Sequence, residues 1–236
     1  MRFLVFYPRL QQPQEPARKP TPQLPLTVDL RPKMPPIDDQ LSLGACSADA
    51  IVAAIEYKTP FVGSRLFVYY NERLLNKSIA EDAGSTLETG MQAVSTYGVC
   101  EERLYPYNIS HFTDTPSAEA YANGLLHRAT KYVKVDRDMN ALKNILAQGT
   151  PVIAAIHIYS SFERSEEKIK LPSATEESLG GHAVLICGYD HRGWILRNSW
   201  GVGWGAKGYS YLPYVYLLDS SFCTECWAIT EVSNAA

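Results

Sequence analysis

The 236-residue sequence predicts an α+β architecture in two lobes. Two observations carry that reading. Apolar residues recur at helical spacing between Cys46 and Tyr97, whereas the second half breaks into short runs rich in branched and aromatic residues, separated by turn chemistry. Helices first and strands later segregate into different layers instead of alternating. With 46% hydrophobic and 20% charged residues, the chain can bury the core of one domain or of two closely packed lobes.

Taken in order, residues 11 to 36 are rich in proline among Gln, Lys and Thr, which favours an extended arm over a packed element. The expected organisation is an arm at 1–27 and a folded domain at 28–236, with a helical lobe over about 40–110 and a β-rich lobe over about 111–236. Ala48, Ile51, Val52 and Ile55 mark a helix with one buried face, stopped by Pro60. A second helix fits Ser64 to Leu75 with Ser64 as N-cap. A third runs from about Ser85 to Tyr97, with Leu87, Met91 and Val94 on one face and Gly98 at the C-cap. Beyond these, a weak helix is expected within Ser117 to His127, a strand at Lys131 to Val135, and a helix at Met139 to Ala147 closed by Gly149. Strands follow at Val152 to Tyr159, His182 to Tyr189, Gly193 to Asn198 and Gly208 to Leu212. The charged stretch Glu163 to Glu177 reads as a solvated loop.

A formal net charge of -3 gives no broad attraction to nucleic acid or an anionic membrane, and the 15 tyrosines are not interleaved with basic runs. No stretch approaches the ~18 apolar residues of a membrane span, and the apolar start is too short for a signal peptide. A cytosolic location is the expectation. The five cysteines are sparse and odd in number, which fits a reducing compartment. Cys223 and Cys226 form a lone C-x-x-C with no second pair to complete a zinc site, so they are read as two thiols near a C-terminal strand. No metal or other cofactor is expected.

The chemistry gathers around Cys46, at the start of the first predicted helix. Gln40 lies six residues before it and Gly44 allows a sharp turn, so a side-chain amide and the Cys46 backbone N–H can offer two donors to one oxyanion. A helix N-terminus and a neighbouring imidazolium both favour thiolate over thiol. Among His111, His127, His157, His182 and His191, only His182 follows paired glycines, Gly180 and Gly181, and opens an apolar run. Those glycines leave room for a substrate backbone. Sixteen residues later Asn198 opens Asn198-Ser-Trp-Gly-Val-Gly-Trp-Gly205. Its carbonyl can fix the imidazole tautomer, and Trp200 can shield that bond from water.

This set resembles the papain and cathepsin family of cysteine peptidases. The matches are Gln40 with Cys46, Gly-Gly-His182-Ala-Val with Gly188-Tyr-Asp, and Asn198-Ser-Trp-Gly with Trp204-Gly205; lesser ones include Val28-Asp-Leu-Arg-Pro, Tyr69-Tyr70-Asn-Glu-Arg73 and Tyr105-Pro-Tyr107. The resemblance implies a papain-like fold, with a helical left lobe, a β-barrel-like right lobe and a cleft between them for an extended peptide or protein substrate. It implies Cys46 as nucleophile, His182 as base, Asn198 as its orienting group, and an oxyanion hole from Gln40 and Cys46. Gly84 is placed where the family pairs with substrate backbone, Gly181, Trp200 and Trp204 on the substrate side, and Glu225 near the bottom of the pocket for the second side chain before the cut, where an acid favours Arg or Lys.

The sequence also departs from the family pattern. Leu43-Gly-Ala-Cys46-Ser47 lacks the usual half-cystine and the aromatic after the nucleophile, and no cysteine stands near Glu81 to pair with it. This form resembles the short bacterial and viral branch. The residues before Val28 are too few for a helical prodomain, so the arm from Gln11 to Pro25 is expected to occupy or border the cleft. The same triad also serves an acyltransferase, a deamidase or a transglutaminase-like enzyme. From other classes come a catalytically silent peptide-binding module, opposed by intact Gln40, Cys46, His182 and Asn198, and a structural or delivery module resting on the arm alone.

Overall fold

The computed structural model describes residues 24–233, so the expected arm lies almost wholly outside the described residues. Strand β1 (Val28–Asp29) enters against the sheet, and three helices follow: α1 (Cys46–Glu56), α2 (Arg65–Asn76) and α3 (Leu87–Thr96). After α4 (Ala118–Gly124) come β2 (Ala129–Val135), α5 (Met139–Ala147), β3 (Val152–Tyr159) and the single turn α6 (Ser160–Glu163). The chain closes with β4 (Ser178–Asp190), β5 (Gly193–Arg197), β6 (Tyr209–Leu212), α7 (Tyr214–Leu218) and β7 (Cys223–Val232).

The helix boundaries follow from capping. Ser64 accepts from the Phe67 N–H at 3.0 Å and opens α2, while Thr86, one residue later than expected, accepts from the Thr89 N–H at 3.1 Å and opens α3. Asp138 caps α5 through two backbone N–H groups. Helix α1 differs from its expected single buried face: every residue from Ser47 to Ile55 is buried. A helix apolar almost all round must sit at the centre of a domain. It is packed between the other helices and β4.

The strands form one antiparallel sheet in the order β2-β7-β3-β4-β5-β6, with β1 added to β4. The barrel-like lobe expected from sequence is therefore an open sheet, because no pairing joins β2 to β6. Alternation along the strands divides two cores. Ile153, Ala183 and Leu185 face the helical lobe with α1, whereas Ala154, Val184 and Ile186 join Trp194, Leu142 and Tyr216 on the opposite face. A bulge at Thr224, where Ala155 pairs with Glu225 but Ile156 with Cys223, turns Cys223 and Cys226 to the same buried side, with their sulfurs 3.7 Å apart. The stretch Glu163 to Glu177 is mostly exposed, but buried Ile169 pins it to β6 through its N–H on Tyr211 O at 2.9 Å.

Gly98 sits just past α3 with φ +71°, and a Cβ there would lie 1.8 Å from the Gly124 carbonyl oxygen. Gly98→Ala is expected to cost about 2–5 kcal/mol, from left-handed strain plus overpacking. Urea unfolding compared with wild type measures it, with Gly149→Ala, where the added Cβ meets nothing within 4 Å, as the control for strain alone.

Candidate active site

Cys46 is the first residue of α1, and the helix has no side-chain N-cap because Ala45 occupies that position. Its first N–H groups are thus left to the site. His182 stands on β4 opposite Ile156 of β3, and Asn198 immediately follows β5. The imidazole Nε2 lies 2.8 Å from Asn198 Oδ1. Since a carbonyl oxygen only accepts, Nε2 carries the proton and Nδ1 is the free nitrogen. The same Oδ1 accepts from the Ser199 N–H at 2.9 Å, which holds the carboxamide in this orientation.

Ser199 also reaches Gln40. Its hydroxyl donates to Gln40 Oε1 at 2.6 Å, and the Gln40 N–H donates to Ser199 O at 2.8 Å. With Oε1 so engaged, Gln40 Nε2 spends one hydrogen on Leu43 O at 2.8 Å and keeps the other. A serine between the two halves of the site was not singled out from sequence; its only signal was its place after Asn198.

An aromatic group surrounds His182. Trp200 lies at 4.8 Å between ring centroids and Phe162 of α6 meets the imidazole edge-on at 5.9 Å. Trp204 is buried and donates its indole N–H to Phe162 O at 3.1 Å. Trp204, expected on the substrate side, stands behind the wall that Trp200 and Phe162 form. At Gly181 an added Cβ would meet nothing within 4 Å.

Two other residues expected on the substrate side have partners within the protein. The Gly84 N–H is used internally, donating to Tyr69 Oη at 3.2 Å, so only its carbonyl remains for an incoming strand. Glu225 is not a free acid, because Oε2 accepts from Trp227 Nε1 at 2.9 Å and pairs with Lys134 Nζ at 3.2 Å.

Where the family pattern calls for a disulfide, the chain uses a carboxylate. Asp82 accepts the Gly44 N–H at 2.9 and 3.2 Å and the hydroxyl of Tyr69, whose oxygen in turn receives the Gly84 N–H. Asp82 therefore clasps the segment before the nucleophile to the loop bearing Gly84. Leu43 turns its side chain into the core.

Electrostatics modify the expectation of a resting thiolate. Burial pushes the Cys46 thiol up to about 11, aided by the Glu72 and Asp49 carboxyls and opposed by the N–H groups of Ala183 and Ser47. Some of the Cys46 surface still reaches solvent, but most of its surroundings are protein. Burial likewise takes His182 down to about 4 against its bond to Asn198. Glu72, wholly buried and bonded by the Ser47 hydroxyl at 2.7 Å, is pushed up to about 8 by burial. Asp49 rises to about 7 for the same reason, opposed by Arg65 at 2.6 Å. Among the described residues no cluster fit to hold a metal occurs, and no helix is long and apolar enough to cross a membrane.

Comparison with known proteins gives the family. The model of the papain family of cysteine proteases matches residues 24–216. The chain belongs to that family. A papain-family relative from Acanthamoeba polyphaga mimivirus, an uncharacterized peptidase C1-like protein, is 33% identical over 217 residues, covering 83% of this chain and 70% of the relative. Cysteine proteinase 2 of Entamoeba histolytica is 29% identical over 79% of this chain, which spans only 63% of that protein. Xylellain, a cysteine protease from Xylella fastidiosa, superposes with a TM-score of 0.84 at 29% identity, covering 98% of this chain and 96% of its own.

Two predictions follow from this geometry. Asp82→Ala strands the Gly44 N–H and the Tyr69 hydroxyl, and is expected to cost about 1–3 kcal/mol with faster amide hydrogen exchange at Gly44. Glu72 titrates higher in the fold than its ordinary 4.5, so its contribution is present at low pH and is lost as pH rises towards about 8. Glu72→Gln should therefore lose less stability than wild type between pH 5 and pH 8, read from urea midpoints.

Proposed function

We propose that this chain is a cysteine endopeptidase acting through Cys46, His182 and Asn198. The observation that carries the reading is the 2.8 Å bond from His182 Nε2 to Asn198 Oδ1, which assigns the imidazole tautomer and leaves Nδ1 unprotonated to act as base. Burial favours a neutral thiol and a neutral imidazole. The Cys46 proton accordingly passes to Nδ1 as the sulfur attacks the amide carbon, and Asn198 stabilises the imidazolium that results. The oxyanion receives the Cys46 N–H and the remaining Gln40 Nε2 hydrogen. His182 then protonates the leaving amine, and water hydrolyses the thioester.

An extended peptide is the proposed substrate, approaching past Gly181 and the Gly84 carbonyl. Glu225, shared between Lys134 and Trp227, exerts a weaker pull on basic side chains than a free carboxylate in the same place.

An epoxide-type thiol inhibitor is expected to label Cys46 in wild type and not in Cys46→Ala, with peptide cleavage lost in parallel. Gln40→Ala should keep the label but lower kcat by about 10²–10³-fold, the cost of one oxyanion donor. A peptide-library digest with mass readout checks both. Labelling without cleaved products would indicate acyl transfer, and neither labelling nor cleavage would indicate a binding module.

A further inference from the structure

Among the described residues, two buried polar atoms, one on Asp49 and one on Asn198, have no protein partner. Asp49 Oδ1 receives Arg65 Nη1 at 2.6 Å, but its Oδ2 receives nothing; Asn198 Oδ1 is engaged twice, but its Nδ2 donates to nothing. Both residues are only 2% exposed. Leaving such groups unpaired costs about 1–3 kcal/mol each.

Asp49 and Asn198 line the same cavity, about 10 Å³ in volume, with Asp38 and Arg197 and an aliphatic wall from α1 and β4. That is the size of one water molecule and of nothing larger. A metal ion would have to share the space with the Arg197 guanidinium and an amide N–H, both positive. Water alone can accept from the amide and donate to the carboxylate.

We propose that this cavity is a binding site for one structural water, which accepts the Asn198 Nδ2–H and donates to Asp49 Oδ2, and that Asp49 is thereby a positioning residue for His182. A carboxamide is nearly symmetric in shape, so its orientation is chosen by its partners. With water on Nδ2 and the Ser199 N–H on Oδ1, both ends of Asn198 are specified, and Oδ1 stays against the imidazole. The water also links α1, which carries the nucleophile, to the end of β5, which carries the orienting group.

The effect on turnover rests on the peptidase reading; the water site itself does not. A crystal structure of the full chain at about 1.5 Å should show one ordered water within about 3.2 Å of both Asp49 Oδ2 and Asn198 Nδ2. Direct contact between the two side chains, or no water between them, overturns the site. In parallel, Asp49→Ala should lower kcat about tenfold or more with KM changed less than about twofold. It should also shift the acid limb of Cys46 labelling to lower pH, because the Asn198 bond is what raises the His182 pKa. Asp49→Asn keeps a carbonyl for Arg65 and an N–H for the water, and should recover most of the loss. A lowered melting temperature with kcat and the labelling limb unchanged makes Asp49 purely structural and overturns its positioning role. Should Asp49→Ala fail to fold, the Asn variant and the crystal structure decide. Absence of turnover and labelling in wild type would refute the peptidase reading instead, while the crystal structure would still judge the water.

Discussion

The burial of α1 from Ser47 to Ile55 is the constraint on which the rest of the molecule depends. A helix that gives up water on every side gains a large hydrophobic stabilisation, but any polar group it carries must be matched inside the protein. Ser47 is matched by Glu72 and Asp49 by Arg65. The same burial raises the Cys46 thiol and lowers His182, so the groups proposed to react sit in a medium that resists charge until they exchange a proton.

Between the helical lobe and the sheet runs a chain of alternating charges. Asp49 pairs with Arg65, Arg65 lies 3.5 Å from Asp38, and Asp38 pairs with Arg197 at 3.1 Å. Arg197 also donates to the carbonyls of Pro35 and Pro36, which fastens the entering segment under the sheet. Buried ion pairs add little net stability after desolvation. Their directionality does more here, since the Arg197 guanidinium, with three acceptors around it, tolerates little sliding of one lobe over the other.

Much of this was legible in the sequence, for reasons that differ by element. The first three helices showed themselves through spacing and caps, and the Gln40, Cys46, His182 and Asn198 set through local motifs whose chemistry is readable in short windows. Strand β7 was legible only as a C-terminal strand without bounds, because its bulge at Thr224 breaks the two-residue alternation that marks a strand. The turns α6 and α7 are too short to show a period, so Phe162 passed unnoticed beside a charged stretch. Ser199 with Gln40, and Asp82 with Gly44, are pairs brought together only by the tertiary fold. Nothing local distinguishes Ser199 or Asp82 from an ordinary surface polar group.

The Asp82 clasp has a further consequence. A disulfide at that place ties the stability of an active site to the redox potential of its surroundings, and a thiol nucleophile asks for the opposite, a medium reducing enough to keep sulfur unoxidised. All five cysteines here are free, and the loops beside Cys46 are joined by hydrogen bonds to a carboxylate. Such a joint is indifferent to glutathione or thioredoxin. The shape of the site and the reduced state of its sulfur therefore make no competing demands on the environment.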